Sequence, residues 1–440
     1  MATSGLFAEH RPDVPDVGAA APAAGPMARF RIYTRPATYA TVFRDVVRRR
    51  VYLGSDVARL EEALAHRFSV RHVVATAQAR VAIHLAVKHV VTRGRPKVVL
   101  SPYTIFDVIN MVIAAGGVPV FADIDRRTCN LDPAAVEPLL DDQTGAVLVT
   151  HLHGLASDVD RLAAICARAG VPLLEDAAQA FGARVQGRSA GSIGHAGMVS
   201  FGLYKNITGF YGGALLTNDT ALAEAARAEI AGFTPLETGA LLNRVLYGLK
   251  TDVATHPLVF RAVMFRLFRV GTLYDISALN QRVDPERDPT LRDQFPDHYR
   301  RRLTPLQARL VLPQLPRVDQ ETRQRIAIAE RYAEELAGAP GILLPPLRTD
   351  GSHIYAYYPV QVSDRRQVLE GLLRRGRDLA IQHLRNCADL PCFARWARDC
   401  PNARRTAAEV LLLPTYPRYG AEEATATARA LRAVLAERCR

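Results

Sequence analysis

The chain has 440 residues, 49% of them hydrophobic and 23% charged, with a formal net charge of +12. Its length allows about two or three domains, and its apolar content supports a large folded core. The positive balance points to anionic partners, but the arginines are scattered, aromatic residues are few and no nucleic-acid module is present, which favours a small-molecule phosphate over a nucleic acid.

Residues 1–27 are rich in Ala, Pro and Gly and are expected to form a mobile tail. They lack the charged start and apolar core of a secretory signal. No run of about 18 uncharged apolar residues is present, so no membrane-spanning helix is expected. A cytoplasmic location follows as the expectation. From 50 to 220, short apolar runs alternate with helical patterns. The runs are VRHVVATA (70–77), KVVLSP (97–102), VPVFADI (118–124), GAVLVTHLH (145–153), VPLLEDA (171–177), GMVSFG (197–202) and GALLTN (213–218). Amphipathic stretches such as VAIHLAVKHVV (81–91) and DVDRLAAICARAG (158–170) lie between many of them. This pattern predicts an α/β fold with a mainly parallel seven-stranded sheet covered on both faces. The last two runs are too close for a long helix, so the final strand is expected to lie antiparallel. Ligands gather at the carboxyl ends of such strands. The polar residues placed there are Gln78, Arg80, Thr104, Asp123, Asp125, His151, His153, Asp176, Gln179, Ser200 and Lys205.

Residues 230–300 break the rhythm. In HPLVFRAVMFRLFRVGTLY (256–274), Val259, Phe260, Val263, Met264, Leu267, Phe268 and Val270 fall on one half of a helix, and Arg261, Arg266 and Arg269 on the other. Such a helix can lie in a membrane interface, on the protein's own core or on a second subunit; burial in protein is the favoured reading, with peripheral membrane contact through 256–270 the lesser one. From 304 a long helix is expected, broken or kinked at Pro313 and Pro316. Runs at 353–362 and 410–414, with helices at 366–376 and 421–437, predict a small C-terminal α+β domain. The division expected is a tail at 1–27, a large domain at 28–303 that includes the insertion, and a linking helix with the small domain at 304–440. The six cysteines, Cys129, Cys166, Cys387, Cys392, Cys400 and Cys439, form no dense framework, which fits a reducing compartment. A zinc site at His383, Cys387, Cys392 and Cys400 matches no strong spacing, and no metal is assigned.

The chain holds only four lysines, Lys88, Lys97, Lys205 and Lys250, against 52 arginines. Lys205 sits between apolar runs in MVSFGLYKNITGFYGGALLTN (198–218). Arginine stays protonated, whereas a desolvated lysine loses its proton and attacks carbonyls. Asp176 ends an upstream strand and Ser200 precedes the lysine. A lysine, an acid for a pyridinium nitrogen and hydroxyl or amide donors for a phosphate are what pyridoxal phosphate (PLP) requires. The helix beginning near Ala79 offers free N–H groups for that phosphate. Taken singly, Asp176 reads as a helix-capping acid, Ser200 as a turn hydroxyl and Lys205 as a snorkelling surface cation.

EDAAQAFGA (175–183), GSIGHAG (191–197), SFGLYKN (200–206) and GGALLTND (212–219) together resemble the signature of the DegT/DnrJ/EryC1/StrS family of PLP-dependent sugar aminotransferases. YLGSDVARLEEALAHRF (52–68), PVFADID (119–125), VTHLHGLASDVD (149–160), LTPLQARLVLPQL (303–315) and LLLPTYPRYGAEEATATARALR (411–432) extend the resemblance to about 45–230 and 300–435. It implies PLP fold type I (aspartate aminotransferase-like), a homodimer, and Lys205 as the Schiff-base lysine. By the same resemblance Asp176 pairs with the pyridine nitrogen, Gln179 lies by the ring and Ser200 binds the phosphate. The implied reaction moves an amino group from Glu or Gln to a keto group of a nucleotide-linked sugar, or of a related cyclitol or natural-product intermediate. The alternatives are another PLP-dependent reaction, or a non-catalytic regulatory or membrane-docked member. Sugar dehydratases of the family lack the lysine, so Lys205 argues against that branch.

Three departures stand out. Gln78-Ala79-Arg80 replaces the family's Ser-Gly-Thr. Arg80 is expected to serve as a charged fork for the phosphate or to reach a substrate carboxylate or phosphate; the alternative is a solvated arginine at the helix start, which is unfavourable there without an anion. Ile105 stands where an aromatic usually covers the cofactor ring. Arg300 stands where an asparagine usually reaches a neighbouring subunit's phosphate.

Overall fold

The computed structural model describes residues 25–32, 34–91, 94–274, 289–381 and 384–438. Most of the expected tail therefore lies outside the described residues; Met27, at its end, is buried beside the small domain's core. The first helices are α1 (Pro36–Val47) and α2 (Asp56–Phe68). All seven expected strands form: β1 (His72–Thr76), β2 (Lys97–Leu100), β3 (Val118–Phe121), β4 (Thr144–Thr150), β5 (Leu173–Asp176), β6 (Ala196–Ser200) and β7 (Gly213–Thr217). Between and after them run α3 (Ala79–Val91), α4 (Phe106–Ala114), α5 (Val159–Ala169) and α6 (Thr220–Ala231).

The strands join one sheet in the order β1-β7-β6-β5-β4-β2-β3. Only β7 runs against its neighbours, β1 and β6. Residues 201–212 are too few for a helical crossover, so the chain must return antiparallel. Alternate side chains serve the two faces. On β4, Ala146 and Leu148 join α3 and α4, whereas Val147 and Val149 join α5. Near β1, β6 and β7 the second face is closed by Leu60, Leu64 and Phe68 of α2. Burial on both faces explains why the strands read as nearly continuous apolar runs.

After β7 come α7 (Thr238–Ala254) and a helical run from Pro257 to Leu273. The run contains a wider π-type turn at Phe260–Met264 and ends as α8 (Phe265–Leu273). The favoured burial of its apolar face is met only in part. Phe260 and Phe265 are buried and pack with Met264 and Phe268 on the small domain's core, but Val263, Leu267 and Val270 are exposed. Next, α9 (Pro305–Val311) starts with a capping box between Thr304 and Gln307. A tighter turn at Leu312–Arg317 holds both prolines, and α10 (Val318–Leu336) follows. The predicted break falls there because proline removes a helical N–H and crowds the preceding turn.

The small domain is an antiparallel sheet of β8 (Ile342–Leu343), β9 (Tyr358–Val362), β10 (Ala380–Ile381) and β11 (Val410–Leu413), in the order β8-β9-β11-β10. With it come α11 (Arg365–Arg374), α12 (Pro401–Glu409) and α13 (Ala421–Arg438). Cys129, Cys166, Cys387, Cys392 and Cys400 are free thiols. Among the described residues no group of three or more His, Cys, Asp or Glu is placed to hold a metal; His383 and Cys439 lie outside them. Nor is any described helix long and apolar enough to cross a membrane.

Candidate active site

Sheet register gathers the site. Thr76, Gly213 and Ser200 are opposite one another on β1, β7 and β6. Thr150 and Asp176 are likewise opposite on β4 and β5. All lie at the edge where the parallel strands end, the place where such sheets bind ligands.

Lys205 follows β6 in a turn in which its N–H donates to Gly202 O at 3.0 Å. Its side chain is half-buried. Loss of water pushes its amine below the ordinary lysine value; Asp176 pulls it back up, and Arg80 pushes it further down. A depressed amine is unprotonated more often and so is better able to attack a carbonyl.

The two acids at the end of β5 point to different tasks, as alternation along a strand requires. Glu175 is fully buried. It accepts N–H groups from Gly191 at 2.9 Å, Ile193 at 2.6 Å and Gly194 at 2.5 Å, and pairs with His151 Nε2 at 3.0 Å. Ser157 N–H donates to His151 Nδ1 at 3.1 Å, which leaves Nε2 to donate to Glu175. Burial alone would raise the Glu175 carboxyl, but His151 and the loop N–H groups hold it below its ordinary value. Glu175 thus ties the 191–194 loop to the strand end. Asp176 receives the Ala178 N–H at 3.0 Å. Its burial raises its pKa, although that N–H and the charges of Lys205 and Arg80 pull the other way. Gln179 Oε1 accepts the His153 N–H at 3.0 Å, which fastens it to the loop after β4.

On the neighbouring strands, Ser200 Oγ accepts the Gly202 N–H at 3.3 Å. Gly213 lies against the start of α3, where an added Cβ would come within 2.5 Å of Ala79 N. A side chain there is excluded. The first turn of α3 carries no acid, and a helix N-terminus of this kind suits an anion. These residues fit PLP: an amine of lowered pKa, a buried carboxyl suited to a pyridinium nitrogen, and a helix N-terminus with a serine hydroxyl suited to a phosphate, along one sheet edge.

Arg80 has unexpected partners. Its Nη1 donates to Asp107 Oδ2 at 2.6 Å and to Tyr299 OH at 2.8 Å. Tyr299 OH donates to the same carboxylate at 2.5 Å, and Arg292 Nη1 reaches its other oxygen at 3.1 Å. Asp107 is 3% exposed. Neither Asp107, Arg292 nor Tyr299 is evident in the sequence as a site residue. The signal for Asp107 was its being the one acid in the apolar helix FDVINMVIA. Ile105 is the residue before α4, half-buried against the core. Arg300 is exposed, 3.4 Å from Asp297 and over the Phe295 ring. Asp123 serves α12 instead, accepting N–H groups from Asn402 at 3.0 Å and Ala403 at 2.9 Å. Asp125 closes a turn by accepting the Thr128 N–H at 2.8 Å. Strand-end acids suit caps and turns as well as ligands, and sequence position does not separate the two. A cavity of about 450 Å³ bordered by Tyr52, Glu61, Arg227 and Arg302 does not include Lys205, Asp176 or Ser200 in its walls.

The sequence model of the DegT/DnrJ/EryC1/StrS aminotransferase family matches residues 38–239 and 287–432. The chain belongs to that family. This aminotransferase is 29% identical over 381 residues to the pleiotropic regulatory protein of Geobacillus stearothermophilus, covering 85% of this chain and 88% of that one. It is 27% identical over 367 residues to the UDP-2-acetamido-2-deoxy-3-oxo-D-glucuronate aminotransferase of Pseudomonas aeruginosa, covering 83% and 87%. Among solved structures it matches DesI, determined in the presence of its TDP-sugar product, with a TM-score of 0.69 and 25% identity over 93% of both chains. The family match breaks off at 240–286, inside the expected insertion.

Proposed function

We propose that this aminotransferase holds PLP through Lys205, Asp176, Ser200 and the start of α3, and passes an amino group from Glu or Gln to a keto group of a nucleotide-linked sugar or a related cyclitol or natural-product intermediate. The observation that carries the reading is the placement of buried Asp176 and Ser200 on adjacent strand ends with Lys205 in the turn that follows, where Asp176 and the amine influence one another's charge. PLP, when bound, supplies an electron sink that stabilises negative charge at the substrate carbon. Asp176 supplies the counter-charge for a ring nitrogen; burial raises its pKa now, and a cationic partner would draw it down. Lys205 Nζ would hold the cofactor at its carbonyl carbon, and the same amine would serve as the acid and base that moves a proton at the substrate carbon. Gln179, held by His153, would lie by the ring, and Ile105 would offer it an apolar contact. Arg80 adds positive charge beside the phosphate cradle. Arg300, exposed in one chain, is read as reaching a second subunit's phosphate in a cytoplasmic homodimer.

The sugar acceptor is supported by the Pseudomonas relative and by DesI, whose names carry a UDP-sugar and a TDP-sugar. A purely regulatory role is suggested by the name of the Geobacillus relative. It leaves the joint presence of Lys205, Asp176 and Ser200 without a purpose. The deciding experiment is the visible spectrum of the purified protein and of Lys205→Ala. The wild type is expected to carry a borohydride-reducible chromophore that Glu or Gln shifts and a keto sugar restores. A wild type without such a chromophore sinks the proposal.

A further inference from the structure

The stretch that the family match omits, 240–286, is occupied in large part by α7 and the helical run 257–273. Each presses one stripe inward. Leu241, Val245 and Gly248 of α7 pack near Phe210, so closely that a Cβ on Gly248 would lie 2.8 Å from that ring. Phe260 and Phe265 of the second run are buried on the small domain's core.

Each helix also carries a second apolar stripe that faces out. On α7 it is Leu242, Leu246, Leu249 and Val253. On the second run it is Val263, Leu267, Val270 and Tyr274. Both follow the spacing i, i+4, i+7, i+11, which keeps four side chains within an arc of about 60° at the helical period. Ten of the eighteen exposed large hydrophobics among the described residues fall between Leu242 and Tyr274. A core-building role does not explain them, because the inward stripes already serve the core.

Charge selects the occupant. Residues 238–274 hold five basic side chains, Arg244, Lys250, Arg261, Arg266 and Arg269, against one acid, Asp252. Asp252 is turned to Thr34 and Tyr39, accepting the Tyr39 hydroxyl at 2.5 Å. Lys250, Arg266 and Arg269 are exposed beside the outward stripes. A symmetric contact between copies of either outward stripe would bring its basic side chains toward their own counterparts, with no acid of 238–274 free to offset them. Apolar stripes with interleaved Lys and Arg are the pattern of helices that lie in the headgroup layer of a membrane. We propose that α7 and the 257–273 run dock this protein on an anionic membrane surface. The Tyr247 hydroxyl, 2.8 Å from that of Tyr204, links the docking helix to the residue beside Lys205.

The test is sedimentation of the full chain with phosphatidylglycerol/phosphatidylcholine vesicles and with phosphatidylcholine alone. Pelleting is expected with the anionic vesicles only, and is expected to fall about tenfold as salt rises past the screening range. Leu246→Glu with Leu267→Glu, and separately Lys250→Glu with Arg266→Glu and Arg269→Glu, are each expected to lower vesicle affinity about tenfold or more. Both sets replace exposed side chains, and circular dichroism and solution mass are to be checked for each. Absence of pelleting on anionic vesicles overturns the proposal, as does equal pelleting on neutral ones. A smaller solution mass in the Leu variant without lipid also overturns it, by assigning the face to a second copy. None of these outcomes depends on catalysis.

Discussion

On the strand side of the site, Lys205, Asp176 and Ser200 come from one stretch, 176–205, and are set by the pairing of adjacent strands. Near them, Arg80, Asp107, Arg292 and Tyr299 come from three distant stretches and are held by side-chain contacts across them. The first wall matches the family's motifs, whereas the second contains Gln78-Ala79-Arg80 and Ile105, where the chain departs from them. A wall built on backbone register tolerates little change, since moving one strand end moves every group on it. A wall built on side-chain pairs can be refitted by a few coordinated substitutions, such as an arginine with a buried acid to hold it.

Mutations on the two walls should therefore differ in kind. The largest effect is expected at Lys205: Ala or Arg should lower single-turnover amino transfer by ~10⁴-fold or more, since both remove an amine that moves protons. Asp176→Asn comes next, with kcat reduced by about 10²–10³-fold as charge stabilisation is lost. A wild-type rate in either variant would break the comparison at its stronger half. Glu175→Gln tests the strand wall's structure. It should cost roughly 2–4 kcal/mol in denaturant unfolding, because a buried carboxylate loses part of its partner set. The Glu175 carboxyl is held below its ordinary 4.5. Its stabilising share is therefore complete above that pH and is lost as pH falls through the lowered value; the Gln variant should lose that part of the acid sensitivity.

Asp107→Asn addresses the other wall. It should weaken PLP binding about tenfold in an absorbance titration while leaving kcat at saturation nearly unchanged, since Arg80 loses its charged anchor. A drop in kcat as large as that of Asp176→Asn would merge the two walls. The smallest effect is a pH shift. The amine of Lys205 should react with a small aldehyde at a midpoint below the ordinary 10.5. Arg80→Ala should move that midpoint up and Asp176→Asn should move it down, because those charges act on Lys205 in opposite directions.

Local pattern accounts for what could be read in advance. The seven strands, the antiparallel last strand and the proline break were legible, because each follows from residues close in sequence. Lys205 stood out by scarcity and by its apolar surroundings, and Asp176 and Ser200 followed from their place at strand ends. The Arg80 cluster was not legible in this way. Asp107 and Tyr299 are separated by 192 positions, and nothing in either stretch announces the other. Asp123 looked as eligible as Asp176 until α12 was seen to occupy it. The 256–274 helix was read as one apolar half-cylinder. The fold divides it into a face spent on the small domain and a face left open.

Sequence alone determined the seven strands of the large sheet, the singular place of Lys205 and the family to which its motifs belong, because periodicity and residue chemistry are local properties. Tertiary structure decided that Asp123 caps another helix, what holds Arg80 and which apolar stripes remain exposed. Those outcomes depend on strand order and on contacts between distant stretches, and such contacts exist only once the chain has closed on itself.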